Sequence, residues 1–193
     1  MAAAALALCG AIIWMLCGRT ALALEPLLAR PTAAQLRWQE LEIGALIHFN
    51  MATYAPGGTR PGAQCSPDPD TFNPAQLDTD QWVRAFEAFG CREAVLVVKH
   101  NCGFVTWPTN ATQADGTRYN YSVAYSKWRG GKGDVVGDFA ASCLKRGLGI
   151  GYYYSLGHRP GKPAVRPTGA EELQMLRELW TAYGNDGNLT EIW

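Results

Sequence analysis

The chain has 193 residues, 48% of them hydrophobic and 18% charged, and its 17 basic and 17 acidic side chains balance to a formal charge of +0. That is the composition of a single globular domain. A neutral balance leaves no electrostatic footprint for nucleic acid or an anionic membrane surface.

The first 23 residues read as a secretory signal rather than as fold. Ala2 to Cys17 is apolar and uncharged, and Ala21-Leu22-Ala23 supplies an A-x-A site with cleavage expected before Leu24. The n-region has no Lys or Arg, and Arg19 follows the apolar stretch instead. About 16 apolar residues fall short of the roughly 20 that span a bilayer. The expected mature domain is therefore 24–193, exported to the extracellular space or to a lysosome or vacuole, with no membrane association after cleavage. Three N-x-[ST] sequons, at Asn110, Asn120 and Asn188, fit an exported glycoprotein. Asn188 is the weakest of them, because it leads directly into an expected strand.

After a Pro/Ala-rich lead-in, 35–42 reads as a short helix packing Leu36 and Trp38. Ile43 to Phe49 reads as the first strand, with His48 closing its apolar run. A loop rich in Gly, Pro, Asp and Thr follows over 50–74, and loops of that length are often functional. Asp78 to Phe89 reads as a helix, with Asp78 and Gln81 in capping-box positions, Trp82, Val83, Phe86 and Phe89 as an apolar stripe, and Gly90 as its C′ residue. Val95 to His100 is an apolar run closed by a lysine and a histidine. A strand buried on both faces has this continuous character, and charge at its end is costly unless it lines a cavity. A second long loop covers 103–131. Asp134 to Arg146 reads as a helix, N-capped by Asp134, with Val136, Phe139, Ala140 and Cys143 inward. Leu148 to Tyr154 reads as the third strand. Thr168 and Glu171 cap a last helix with Leu173, Leu176, Trp180 and Tyr183 inward, and 189–193 begins a fourth strand.

Alternating β and α segments imply parallel strands with right-handed crossovers. Every strand-to-helix loop is long and every helix-to-strand turn short, as in a (β/α)8 barrel whose active site lies at the carboxyl ends of the strands. Only about four of eight units are present, where a full barrel takes roughly 250 residues. A flavodoxin-like open sheet is the rival, but it predicts a phosphate-binding glycine turn after strand one, and His48-Phe49-Asn50-Met51 is not one.

Six motifs occur in order: Ile47-His48-Phe49-Asn50; Phe72-Asn73-Pro74 with Asp80-Gln81-Trp82; Lys99-His100-Asn101-Cys102-Gly103-Phe104 with Trp107-Pro108; Gly133-Asp134-Val135-Val136; Gly151-Tyr152-Tyr153-Tyr154-Ser155; and Tyr183-Gly184 with Leu189-Thr190-Glu191-Ile192-Trp193. Over residues 36–193 the chain resembles the alpha-L-fucosidases of glycoside hydrolase family twenty-nine. The resemblance implies a TIM-like (β/α)8 barrel and a retaining glycosidase that removes terminal alpha-linked L-fucose from oligosaccharides or glycoprotein glycans. Such chemistry uses two carboxyl groups about 5–5.5 Å apart. The family's nucleophile is the Asp of a W-F-D-G-like motif, which is entered here at Trp193, so that Asp would fall two positions past the last residue and the acid/base further on. No catalytic carboxylate is therefore expected among these residues, only the sugar-binding part of the pocket.

By motif match, His48 and His100 resemble histidines that hydrogen-bond fucose hydroxyls; a neutral imidazole offers one donor and one acceptor. Tyr154 resembles the pocket tyrosine of strand three. Alternation puts Tyr152 on its face and Tyr153 on the other, so Tyr154 is the expected residue with Tyr152 in reserve. Trp107 and Trp193 are candidates for the sugar's apolar face. Two departures from the family stand out: Asn101-Cys102 replaces a second histidine and an aspartate found in many members, and Ala63-Gln64-Cys65-Ser66 lacks a Glu-Trp pair often found there.

Cys65 and Cys102 both fall on carboxyl-side loops, while Cys91 and Cys143 fall at the opposite end of the sheet, so the expected pairs are Cys65–Cys102 and Cys91–Cys143. Cys143, on an apolar helix face, reads equally as a buried free thiol. His48, His100 and His158 lack metal-ligand spacing, and no cofactor is expected. The competing readings are a catalytically inactive glycan-binding half-barrel and another TIM-barrel glycoside hydrolase.

Overall fold

A computed structural model describes residues 29–55, 68–156, 166–184 and 187–193. The expected signal segment, Cys65 and His158 lie outside the described residues. The chain divides into two units, 1–36 and 37–193. The described part of the first is 29–36, where helix α1 (Ala33–Gln39) begins.

The second unit is built on a parallel sheet of four strands in the order β1-β2-β3-β4, where β1 is Gly44–Ile47, β2 Glu93–Lys99, β3 Gly149–Tyr154 and β4 Leu189–Ile192. Helices α2 (Thr79–Phe89), α3 (Val135–Arg146) and α4 (Gly169–Thr181) supply the crossovers. Sequential order with every pair parallel is barrel topology. A flavodoxin-like sheet would place its second strand outside the first. The chain is thus α/β, with four β/α units of a TIM-like barrel.

Local chemistry sets the helix ends. Asp78 and Asp134 each accept a bond from the backbone N–H three residues on, and Thr168 with Glu171 forms a reciprocal capping box. Gly90 and Gly147 end α2 and α3 in the left-handed region. Inside, Val136, Phe139, Ala140 and Cys143 of α3 pack on Ala94, Leu96 and Val98 of β2 and Ile150, Tyr152 and Tyr154 of β3 in one core.

Two helix faces differ from the periodicity. On α2, Val83 is buried but Phe89 is 78% exposed. On α4 the inward residues are Glu171, Met175 and Leu179, while Leu173 and Trp180 stand exposed beside an apolar groove of about 600 Å³. The i, i+4 row from Glu171 to Met175 to Leu179 faces the core, where one Glu171 oxygen accepts the Thr168 N–H of the capping box and the other is buried without a hydrogen-bond partner among the described residues.

The Cys91–Cys143 pair is not formed. Both are free thiols, buried as small apolar groups. The two residues do share the expected end of the sheet, but Cys143 points into the helix–sheet core, where burial pushes its thiol up to about 12. Cys102 is disulfide-bonded, and with Cys91 and Cys143 free its partner lies outside the described residues.

Gly133 precedes the Asp134 cap, and a Cβ there would lie 1.9 Å from Cε3 of Trp128. Trp128 is itself held by an edge-on contact with Phe72 and by the Arg129 guanidinium over its ring. Gly133→Ala should cost about 2–3 kcal/mol of stability through overpacking, read by urea unfolding. Gly169→Ala, with open space around its Cβ, should leave the midpoint unchanged or slightly raised. Equal midpoints for the two variants would show that the Trp128 contact constrains nothing.

Candidate functional site

In a parallel sheet, paired residues share a face. Leu96 pairs with Tyr152 and Val97 with Tyr153, so Leu96 and Tyr152 face the helices, while Val97 and Tyr153 face the opposite, open side. Tyr152 confirms the assignment by donating its hydroxyl to the Tyr183 carbonyl, and Tyr154 by donating to Sδ of Met175 on α4. Two glycines keep the open side of β3 clear. A Cβ at Gly149 would lie 2.7 Å from Cγ2 of Thr190, and one at Gly151 2.7 Å from Cγ2 of Val95.

At the carboxyl ends of the strands this side carries four rings. His48 follows β1, His100 follows β2, Tyr153 lies in β3 and Trp193 follows β4. The His48 and His100 ring centroids are 5.3 Å apart and edge-on, and His100 stacks on Tyr153 at 5.8 Å. Tyr153 meets Trp193 edge-on at 6.1 Å, and His48 lies 6.4 Å from Tyr153. Each strand contributes one ring, and Trp193 remains 55% exposed.

His100 reaches this cluster because of an irregularity in β2. The register shifts between Val97 and Lys99, so that Lys99 pairs with Tyr154. Strict alternation from Val97 would send Lys99 to the open side and His100 into the helix layer. The bulge inverts the phase: Lys99 turns inward, 2% exposed, and His100 turns outward. Burial first, then the neighbouring His48 and Lys99 charges, holds the His100 imidazole below its ordinary pKa. It is kept neutral, with one donor and one acceptor available.

The arrangement suits a small polyol with an apolar patch. Two imidazoles and a phenol offer donors and acceptors, and an exposed indole offers a flat apolar surface. Of the residues singled out in the sequence, the structure brings His48, His100 and Trp193 together and leaves out two. Tyr154 lies in the core against α4, and its neighbour Tyr153 occupies the place expected of it. Trp107 is 1% exposed and donates its Nε1–H to Glu178 of α4, away from the rings. Tyr153 is the odd-phase residue of Gly151-Tyr152-Tyr153-Tyr154: the expected alternation holds, but the face turned to the rings is that of Tyr153, and Tyr152 and Tyr154 face the helices.

Comparison with known proteins supplies the remaining finding. The family model described as alpha-L-fucosidase matches residues 32–186. A rice (Oryza sativa subsp. japonica) protein carrying that family's name is 39% identical over 174 residues, which cover 87% of this chain and 30% of the rice protein. The Arabidopsis thaliana alpha-L-fucosidase 1 is 32% identical, over 87% of this chain and 31% of its own length. Among solved structures, a glycoside hydrolase 29 family member from an unknown rumen bacterium superposes with a TM-score of 0.68 at 38% identity, covering 84% of this chain and 27% of that one. The chain thus spans about a third of the length of these two plant relatives.

Proposed function

The chain belongs to the alpha-L-fucosidase family, and from that premise we propose that its ring cluster is the fucose-holding part of a retaining fucosidase site. The observation that carries this reading is the convergence of His48, His100, Tyr153 and Trp193 at the carboxyl ends of four consecutive parallel strands. Active sites of (β/α)8 enzymes lie at that edge. The two imidazoles and the Tyr153 hydroxyl would bind the sugar hydroxyls, and Trp193 would pack against its apolar face. Retaining hydrolysis needs a nucleophilic carboxylate and an acid/base carboxylate; neither is assigned within these 193 residues, whose part is to bind and orient. The substrate is a terminal alpha-linked L-fucose of an oligosaccharide or glycoprotein glycan. No nucleic-acid or membrane partner is part of the reading.

The test is hydrolysis of an aryl alpha-L-fucoside by the intact gene product, with the anomer of the released sugar followed by NMR. Release of the alpha anomer first is expected. Turnover of an aryl galactoside in preference to the fucoside would replace this reading by another glycosidase specificity.

We also propose export and glycosylation, on the apolar Ala2–Cys17 stretch and the three sequons. Asn110 and Asn120 are exposed, whereas Asn188 is half-buried and its carbonyl accepts from the Ile150 N–H of β3. Glycan is expected on the first two. Secreted protein should lose mass on enzymatic removal of N-glycans and start at Leu24; an unchanged mass and an intact Met1 would reject this placement.

A further inference from the structure

We propose that Lys99 is a positioning residue that aims His100 at Tyr153 by tying the chain on both sides of His100 to Ser155. This inference rests on the sugar-site reading for its consequence, though not for its geometry. The β2 bulge turns Lys99 away from the ring cluster and into the helix layer. There its Nζ donates to the Ser155 carbonyl, pairs with the Glu172 carboxylate of α4 at 3.4 Å, and lies 4.5 Å above the Tyr154 ring.

The backbone completes the tie. The Ser155 N–H donates to the Lys99 carbonyl at 3.0 Å, and the Ser155 hydroxyl bonds Oδ1 of Asn101 at 3.1 Å. Lys99 and Asn101 flank His100 in sequence, and Ser155 lies two residues beyond Tyr153. The two rings that stack at 5.8 Å are therefore carried on one closed set of bonds, whose charged member is buried and paired.

A buried ammonium is costly unless it is paired and hydrogen-bonded. An apolar residue of the same length would fill this position without that cost. Lys99 instead spends its donors on the turn that follows β3, on the helix side of the sheet, while the ring it orients lies on the open side. The charge also acts on the imidazole next to it. Around His100 stand the His48 ring, the Tyr153 ring and the Lys99 ammonium; burial first, then His48 and the Lys99 charge, disfavour protonation of His100.

The experiment uses the intact gene product with Lys99→Met, which keeps the stem and removes the charge, and Ser155→Ala, which removes one hydrogen bond and little volume. Two quantities are read: the titration midpoint of the His100 imidazole by NMR, and KM with kcat for an aryl alpha-L-fucoside. Lys99→Met should raise the His100 midpoint and cost about tenfold or more in kcat/KM through misplacement of the ring. Ser155→Ala should cost several-fold at an unchanged melting temperature and an unchanged midpoint. A Lys99→Met protein that melts lower but keeps the His100 midpoint and KM would reduce Lys99 to packing and overturn the proposal. The two failures are separable. If His100→Gln leaves kcat/KM unchanged, the sugar-site reading falls, while the midpoint still reports whether Lys99 acts on His100.

Discussion

Replacing His100 with glutamine is expected to lower kcat/KM for an aryl alpha-L-fucoside by about a hundredfold, the scale of losing one preorganised polar group in a binding site. Glutamine keeps a donor and an acceptor but cannot hold them in a rigid ring stacked on Tyr153. The loss should appear mainly in KM if the imidazole contacts substrate and transition state alike, and in kcat if the contact tightens during reaction. The pH profile provides a second readout. Burial, His48 and Lys99 hold the His100 pKa below the ordinary value of about 6.5. The neutral form therefore persists into mildly acid solution, and sugar affinity should fall only below that range.

The same shift fixes the sign of a stability effect. Because the folded state binds its proton less readily than the unfolded chain, stability is full above the unfolded imidazole value and is lost as pH falls below it toward the folded value. His100→Gln should remove that segment of the pH–stability curve. An unchanged curve together with an unchanged kcat/KM would mean that the ring is a solvated bystander.

The sequence made the β/α order legible because its strands are short apolar runs ended by polar groups and its helices carry caps that obey local rules. Asp78, Asp134 and Thr168 cap where their spacing places them, since a cap depends on three or four neighbours. The convergence of His48, His100 and Trp193 was legible for a related reason: parallel strands deliver their carboxyl ends to one edge. What stayed hidden depends on contacts far apart in the chain. The bulge between Val97 and Lys99 arises from pairing with β3, and it decides which side His100 takes. A correct alternation in Tyr152-Tyr153-Tyr154 leaves the face open until Met175 and Tyr183 are seen to receive the even-numbered hydroxyls. The inward face of α4 was missed because hydropathy favours Leu173 and Trp180, whereas the helix buries Glu171 and half-buries Glu178 to satisfy backbone and loop donors. Cys143 followed its helix face into the core rather than its proximity to Cys91.

Glu178→Ala is the substitution expected to cost most in stability, about 4 kcal/mol. One carboxylate gathers three donors from the loop after β2: Trp107 Nε1–H at 2.8 Å, Thr109 Oγ–H at 2.6 Å and the Asn110 backbone N–H at 2.7 Å. Trp107 and Thr109 are buried, so losing the acceptor strands donors away from water, at about 1–3 kcal/mol apiece. Four kilocalories is a large part of the roughly 5–15 that hold a domain folded. Glu178→Gln retains one acceptor oxygen and should lose about half as much. Trp107→Phe keeps an aromatic ring but removes the Nε1–H together with part of the buried indole volume. If Trp107 serves the core, as its bond to α4 indicates, that variant melts lower while KM for the fucoside stays at the wild-type value. A raised KM with an unchanged melting temperature would instead return Trp107 to the sugar site, and the separation of this loop from the ring cluster would have to be abandoned.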